Sequence, residues 1–162
     1  MKIRIGQGID IHQLVVGTPL IIGGVSIPYS KGSQGYSDGD VLYHAIVDAI
    51  LGAFALGDIG QHFPSDDKKW KDSDSRKFLK HAQCLIKEKG YEVSNIDSTV
   101  IIQEPKLNPY ISEMQKNIAS VLAISIDAVS VKATTSDRLG FTGVGKGVIS
   151  VAVALLSEIN EK

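Results

Sequence analysis

The sequence predicts one α/β or α+β sandwich, a sheet carrying helices on one face. Three observations lead there. Segments with strand-like alternation or β-branched runs interleave with segments of helical period along the chain. No linker, repeat or low-complexity stretch separates them, so residues 1–162 read as a single domain. A hydrophobic content of 43% in 162 residues is enough for one core.

The elements follow in order. Ile3, Ile5, Ile9 and Ile11 alternate with Arg4, Asp10 and His12, a period of two that marks a strand with one buried face, interrupted by Gly6 and Gly8. Gly23-Gly24 and Pro28 punctuate a hairpin-like region. Ser37-Asp38-Gly39-Asp40 offers caps for a helix from about Val41 to Ala55. A second helix is expected near Ser73 to Lys89, amphipathic through Phe78, Ala82, Leu85 and Ile86 and stopped by Gly90. Tyr91 to Gln103 ends in Thr99-Val100-Ile101-Ile102, a strand; Pro109 to Ala123 reads as a third helix; Val129 to Thr135 and Val148 to Leu156 read as strands.

The helix from Val41 has apolar residues all round, since Val47 and Leu51 join Leu42, Ala45, Ile46, Ala49, Ile50 and Phe54. Such a helix needs cover on every side, from another chain or as a central helix beneath a loop.

Charge and composition exclude several function classes. A net charge of -1 gives nucleic acid no long-range attraction. The basic run Lys68-Lys69-Trp70-Lys71 is answered by Asp66, Asp67 and Asp72, which reads as a solvated loop. No apolar run approaches the roughly 18 residues of a bilayer span, and no signal-peptide stretch follows Met1. Cys84 is the one cysteine, so no internal disulfide and no CxxC site exist, which suits a reducing compartment. A bacterial cytoplasm is expected, or a plastid-type organelle if a targeting segment has been removed.

Chemistry is concentrated in two places. In Gly8-Ile9-Asp10-Ile11-His12, alternation puts a carboxylate and an imidazole on one face, about 7 Å apart along the backbone. His44, with Asp48 four residues on, forms the one polar stripe of the apolar helix and is the candidate third ligand. Asp, His and His with a fourth position open suits catalytic zinc, while a hydrogen-bonded core histidine is the plainer alternative. His62 and His81 fit loop and lysine-rich surface positions instead. The second place is the strand end at Lys132, Thr134, Thr135, Ser136 and Asp137, whose hydroxyls and backbone donors suit phosphate oxygens, or simply cap a turn. The glycine-rich run Gly140 to Gly147 is not a Walker A loop, because Lys146 is followed by Gly147; it reads as a flexible turn.

Four blocks in order resemble the 2-C-methyl-D-erythritol 2,4-cyclodiphosphate synthase family along nearly the whole chain. They are Arg4-Ile5-Gly6-Gln7-Gly8-Ile9-Asp10-Ile11-His12, Ser37-Asp38-Gly39-Asp40-Val41-Leu42-Tyr43-His44-Ala45, Leu56-Gly57-Asp58-Ile59-Gly60-Gln61-His62-Phe63-Pro64, and Lys132-Ala133-Thr134-Thr135-Ser136-Asp137-Arg138-Leu139-Gly140-Phe141-Thr142-Gly143. The resemblance implies a ferredoxin-like α/β subunit with a mixed sheet, assembled as a homotrimer with interfacial active sites. It implies zinc on Asp10, His12 and His44, and a second divalent ion, magnesium or manganese, at Asp137. The implied reaction turns 4-diphosphocytidyl-2-C-methyl-D-erythritol 2-phosphate into the cyclic diphosphate: the 2-phosphate attacks the β-phosphorus and cytidine monophosphate leaves. An anionic nucleophile needs positioning and charge neutralisation more than a protein base.

By the same resemblance, Thr135 and Tyr36 hold the catalytic positions. Ser37, Asp58, Ile59, Gly60, Phe63, Pro64, Ser65, Asp66 and Asp67 face the methylerythritol part. Ile102, Gln103, Glu104, Pro105, Lys106, Leu107 and Asn108 form the cytidine pocket, and Thr134, Ser136 and Phe141 are further substrate-binding positions. Three departures stand out: Tyr36 replaces a usual histidine, Asp137 a usual glutamate, and Val144 an arginine that many members turn toward an axial isoprenoid-diphosphate cavity. No strong binding of such diphosphates is expected. Two rival readings remain at this point: a metal-dependent nucleotide-diphosphate hydrolase, and an inactive trimer that binds nucleotide or metal.

Overall fold

A computed structural model describes residues 2–159. Its main sheet contains β1 (Ile3–Val16), β4 (Lys31–Gln34), β5 (Tyr91–Ile101), β6 (Val129–Thr134) and β7 (Gly147–Glu158), after a small hairpin of β2 (Leu20–Ile22) and β3 (Val25–Ile27). The order is β4-β1-β7-β5-β6, antiparallel except for the β5–β6 pair, which makes the sheet mixed and the class α+β. The helices α1 (Val41–Gly52), α3 (Arg76–Glu88) and α4 (Ile111–Leu122) cover one face, with short α2 (Ile59–His62) and α5 (Gly140–Gly143) in the connections. Four-residue α5 lies in the run expected to be a flexible turn.

The glycines of β1 do not interrupt it. A Cβ on Gly6 would lie 1.9 Å from the Ala49 carbonyl oxygen, and one on Gly8 2.0 Å from that of Ala45, so α1 rests directly on the strand there. Gly6 and Gly8 share a face with Asp10, His12 and buried Leu14, and this is the face that meets the helices. The isoleucines, expected on the buried face, point the other way: Ile3, Ile5, Ile9 and Ile11 are 52–69% exposed.

Helix α1 is central. Its apolar residues from Val41 to Leu51 are fully buried within one chain, between β1 and β7 on one side and α3 on the other. The helix therefore needs no partner, and the apolar surface that lacks cover is the open face of the sheet. Fully burying each large aliphatic side chain contributes about 1.5–3 kcal/mol. Asp40 caps α1 through Oδ1, which accepts from Leu42, Tyr43 and Gly23 N–H, while Oδ2 accepts from Gly24 N–H. It thereby ties the β2–β3 turn to the helix start, although burial pushes its carboxyl up to about 6 against those bonds.

Candidate metal centre and adjoining cavities

Alternation on β1 and the first turn of α1 bring Asp10, His12 and His44 together, one potential ligand atom from each lying within 4.8 Å of the others. Asp10 Oδ2 is 2.8 Å from His12 Nε2 and 2.9 Å from His44 Nδ1, and the two nitrogens are 3.2 Å apart. The outer nitrogens explain this orientation. His12 Nδ1 is 2.7 Å from the Gln34 carbonyl, which only accepts, so Nδ1 carries hydrogen and the Nε2 lone pair is left to face inward. His44 Nε2 is 2.8 Å from Ser75 Oγ and 3.2 Å from Ser37 Oγ, leaving Nδ1 to face Asp10.

Three lone-pair donors aimed at one point fit a divalent cation, with the backing hydrogen bonds that metal-bound histidines normally have. Without a cation, protons must keep the donors apart. Burial pushes the Asp10 carboxyl up, but the His12 and His44 hydrogen bonds outweigh it and hold the carboxyl well below its ordinary range. Burial likewise opposes charge on His12, and the Asp10 hydrogen bond and charge raise it regardless.

This cluster forms one wall of a cavity of about 210 Å³ that is also lined by Tyr36, Ser37, Ile59, Gly60, Phe63, Trp70 and Phe78. Phe63 stacks on Phe78 with ring centroids 4.3 Å apart, and Trp70 meets both rings edge-on. Asp58 caps α2 through Gln61 N–H; Pro64, Ser65, Asp66 and Asp67 occupy the following loop, where Asp67 caps the turn at Lys68–Trp70. Asp48 stands apart from the cluster and accepts the Ile59 N–H at 2.7 Å. His62 and His81 pair with each other, rings 5.6 Å apart, away from the cluster.

The other predicted residues gather elsewhere. Ile102, Gln103, Pro105, Lys106, Leu107, Asn108, Thr134 and Thr135 line a second cavity of about 150 Å³. Glu104 belongs to a third, with Tyr29, Lys31, Arg138 and Val144. Thr135 Oγ1 is 3.4 Å from Asp137 Oδ1, Ser136 Oγ donates to the Leu139 carbonyl, and Phe141 is half-exposed beside Gly147. Register places both patches at one end of the sheet: Ile11 pairs with Ile149, Ile149 with Ile101, and Ile101 with Thr134. Three strand spacings, about 14 Å, separate β1 from β6 in that row.

Several residues of the site escaped the sequence reading. Ser75 and the Gln34 carbonyl back the histidines, and Trp70 and Phe78 wall the cavity. Ser75 stood among the residues opening a predicted helix, but nothing in its spacing says where the hydroxyl points.

The YgbB family pattern matches residues 3–157. The chain belongs to the YgbB family. Curated relatives of this YgbB-family chain include 2-C-methyl-D-erythritol 2,4-cyclodiphosphate synthases from Bacillus pumilus, 55% identical over 96% of this chain and 99% of the relative, and Bacillus subtilis, 54% identical over 96% and 98%. Among solved structures, the CDP complex of Plasmodium falciparum IspF superposes with a TM-score of 0.86 at 41% identity, covering 98% of this chain and 97% of that one. The bifunctional IspDF of Campylobacter jejuni gives 0.94 at 41% identity; this chain spans 98% of itself there but 43% of that longer protein. The α+β fold is thus the fold of the family. Among the described residues, no helix is long and apolar enough to cross a membrane.

Proposed function

We propose that this YgbB-family chain, as one domain over residues 1–162, converts 4-diphosphocytidyl-2-C-methyl-D-erythritol 2-phosphate into 2-C-methyl-D-erythritol 2,4-cyclodiphosphate and cytidine monophosphate in the non-mevalonate isoprenoid pathway. The observation that carries this reading is the convergence of Asp10, His12 and His44 beside a cavity, in a chain that matches named synthases nearly end to end. Asp10, His12 and His44 would hold zinc, which supplies positive charge at an open position for a substrate phosphate oxygen. Asp137 offers one exposed carboxylate, so magnesium or manganese there would draw its remaining ligands from the diphosphate and water.

The chain's own residues orient the rest. Tyr36 and Ser37 line the cavity that the metal cluster walls, where their hydroxyls would donate to the 2-phosphate and the methylerythritol oxygens. Gln103 to Asn108 would hold the cytidine end, with the Lys106 ammonium near the diphosphate; Thr134 and Thr135 would donate to oxygens whose charge grows as the β-phosphorus is attacked. Phe63, Trp70 and Phe78 would exclude water from the reacting phosphates.

A homotrimer with its sites between subunits completes this reading, in the bacterial cytoplasm. It is supported by the open sheet face, whose row of exposed isoleucines is an apolar patch of the kind that interfaces cover, and by the separation of the two cavities within one chain. Phosphorus NMR of the protein with the substrate, zinc and magnesium tests the reading. Equal amounts of cyclic diphosphate and cytidine monophosphate, lost with a chelator, are expected. Linear products would replace this reading with a hydrolase, and metal binding without turnover would replace it with a binding protein.

A further inference from the structure

Ser75 sits at the position that opens α3, where serine hydroxyls usually accept a helix N–H, yet its side chain makes no capping bond. Asp74 does that work instead, its Oδ1 accepting the Arg76 N–H at 2.8 Å. The Ser75 hydroxyl is turned inward, fully buried, between His44 Nε2 at 2.8 Å and Asp38 Oδ1 at 2.5 Å. Asp38 is itself pinned: Oδ2 accepts the Ser75 N–H, Oδ1 accepts the Asp40 N–H, and its own N–H donates to the Ser73 carbonyl.

We infer that Asp38 and Ser75 form a positioning relay that sets which nitrogen of His44 carries hydrogen, and so presents its Nδ1 lone pair to the metal. The polarity follows from the groups. A carboxylate only accepts, so the Ser75 proton points to Asp38 and the Oγ lone pairs face His44. His44 Nε2 must then donate, which leaves Nδ1 free of hydrogen on the side of Asp10 and His12. Carboxylate support of a metal-bound histidine is common, but here it is passed through a serine hydroxyl. The relay also gives a reason for a serine that forgoes its cap. Ser37 Oγ lies farther from His44 Nε2, at 3.2 Å, and among the described residues no carboxylate fixes its proton.

This inference rests on the metal-centre reading, and zinc binding to the full-length protein separates the two. Zinc dissociation constants would be measured by competition with a chromogenic chelator for the parent, Ser75→Ala, Ser75→Thr and Asp38→Asn, alongside metal-free melting temperatures. Long-range proton–nitrogen NMR of the zinc-loaded parent would look for hydrogen on His44 Nε2. Weakening of about 10- to 100-fold is expected in Ser75→Ala, with Ser75→Thr restoring affinity to within about threefold of the parent. Asp38→Asn is the sharper test because it keeps the size: the shorter Ser75 N–H bond holds the amide oxygen at the Oδ2 position, the NH2 then faces Ser75 Oγ and turns the hydroxyl proton toward His44, and zinc should weaken comparably. Affinity within about threefold of the parent in both Ser75→Ala and Asp38→Asn overturns the relay even if their melting temperatures fall, since that pattern belongs to packing. A zinc-loaded parent without hydrogen on His44 Nε2 also overturns it. A parent that binds no zinc overturns the metal reading itself.

Discussion

The two polar patches at one end of the sheet are built differently. Around Asp10, His12 and His44 the outward nitrogen of each histidine meets a fixed partner, and the histidines are mostly buried. The Thr134–Asp137 segment is exposed, and its hydroxyls bond mainly to their own neighbours. One patch is finished within a single chain, and the other is a set of donors waiting for something to bind. Metal binding should therefore be a property of the folded subunit, while turnover should require the assembled protein.

Substitutions can break that contrast from either side. His44→Ala should remove the metal and lower turnover by at least about 10³-fold, some 4 kcal/mol of transition-state stabilisation, while circular dichroism stays native. Retention of one zinc per chain in that variant would unseat His44 as a ligand. Thr135→Ala should cost about 10²-fold in kcat with zinc content unchanged, read by metal analysis and product NMR on the same sample. Parallel loss of zinc there would mean that the patches are not separable. Introducing Ile5→Lys and Ile9→Lys together on the open face should give monomers in sedimentation velocity that still bind zinc but turn over at least about tenfold slower. Trimers at native activity would place the interface elsewhere.

The smallest effect concerns pH. In metal-free protein His12 is raised above its ordinary 6.5, so its stabilising contribution is complete below 6.5 and is lost as pH rises through the raised folded value. Asp10 is depressed from 3.8, so its contribution is present above 3.8 and fades as pH falls toward the lower folded value. Calorimetry with chelator should therefore show a melting temperature that declines by a few degrees above about pH 6.5. The increment gained on adding zinc should grow over the same range, because protons and metal compete for His12. An increment that shrinks as pH rises would contradict the ligand assignment.

The sequence made part of this legible. Alternation was enough to put Asp10 and His12 on one face, and helical spacing to offer His44 across from them. It left the cover of the all-round apolar α1 open between a partner chain and a central position, and the chain buries α1 itself; it misjudged the isoleucines of β1, which are bare. Period two identifies the faces of a strand without saying which one the helices choose. Gly6 and Gly8 carried that information, because only a strand without side chains can lie against helix carbonyls. The direction of the Ser75 hydroxyl depends on contacts 31 residues away in the chain, beyond any local pattern.

Those glycines have another consequence. Asp10 and His12 ride on the strand and His44 on the helix, so the gap between the two backbones sets the bite of the ligands, which coordination tolerates only within about 0.2 Å. A bound ion would act as a rivet through the layers, and its residence time would report how rarely α1 lifts from the sheet.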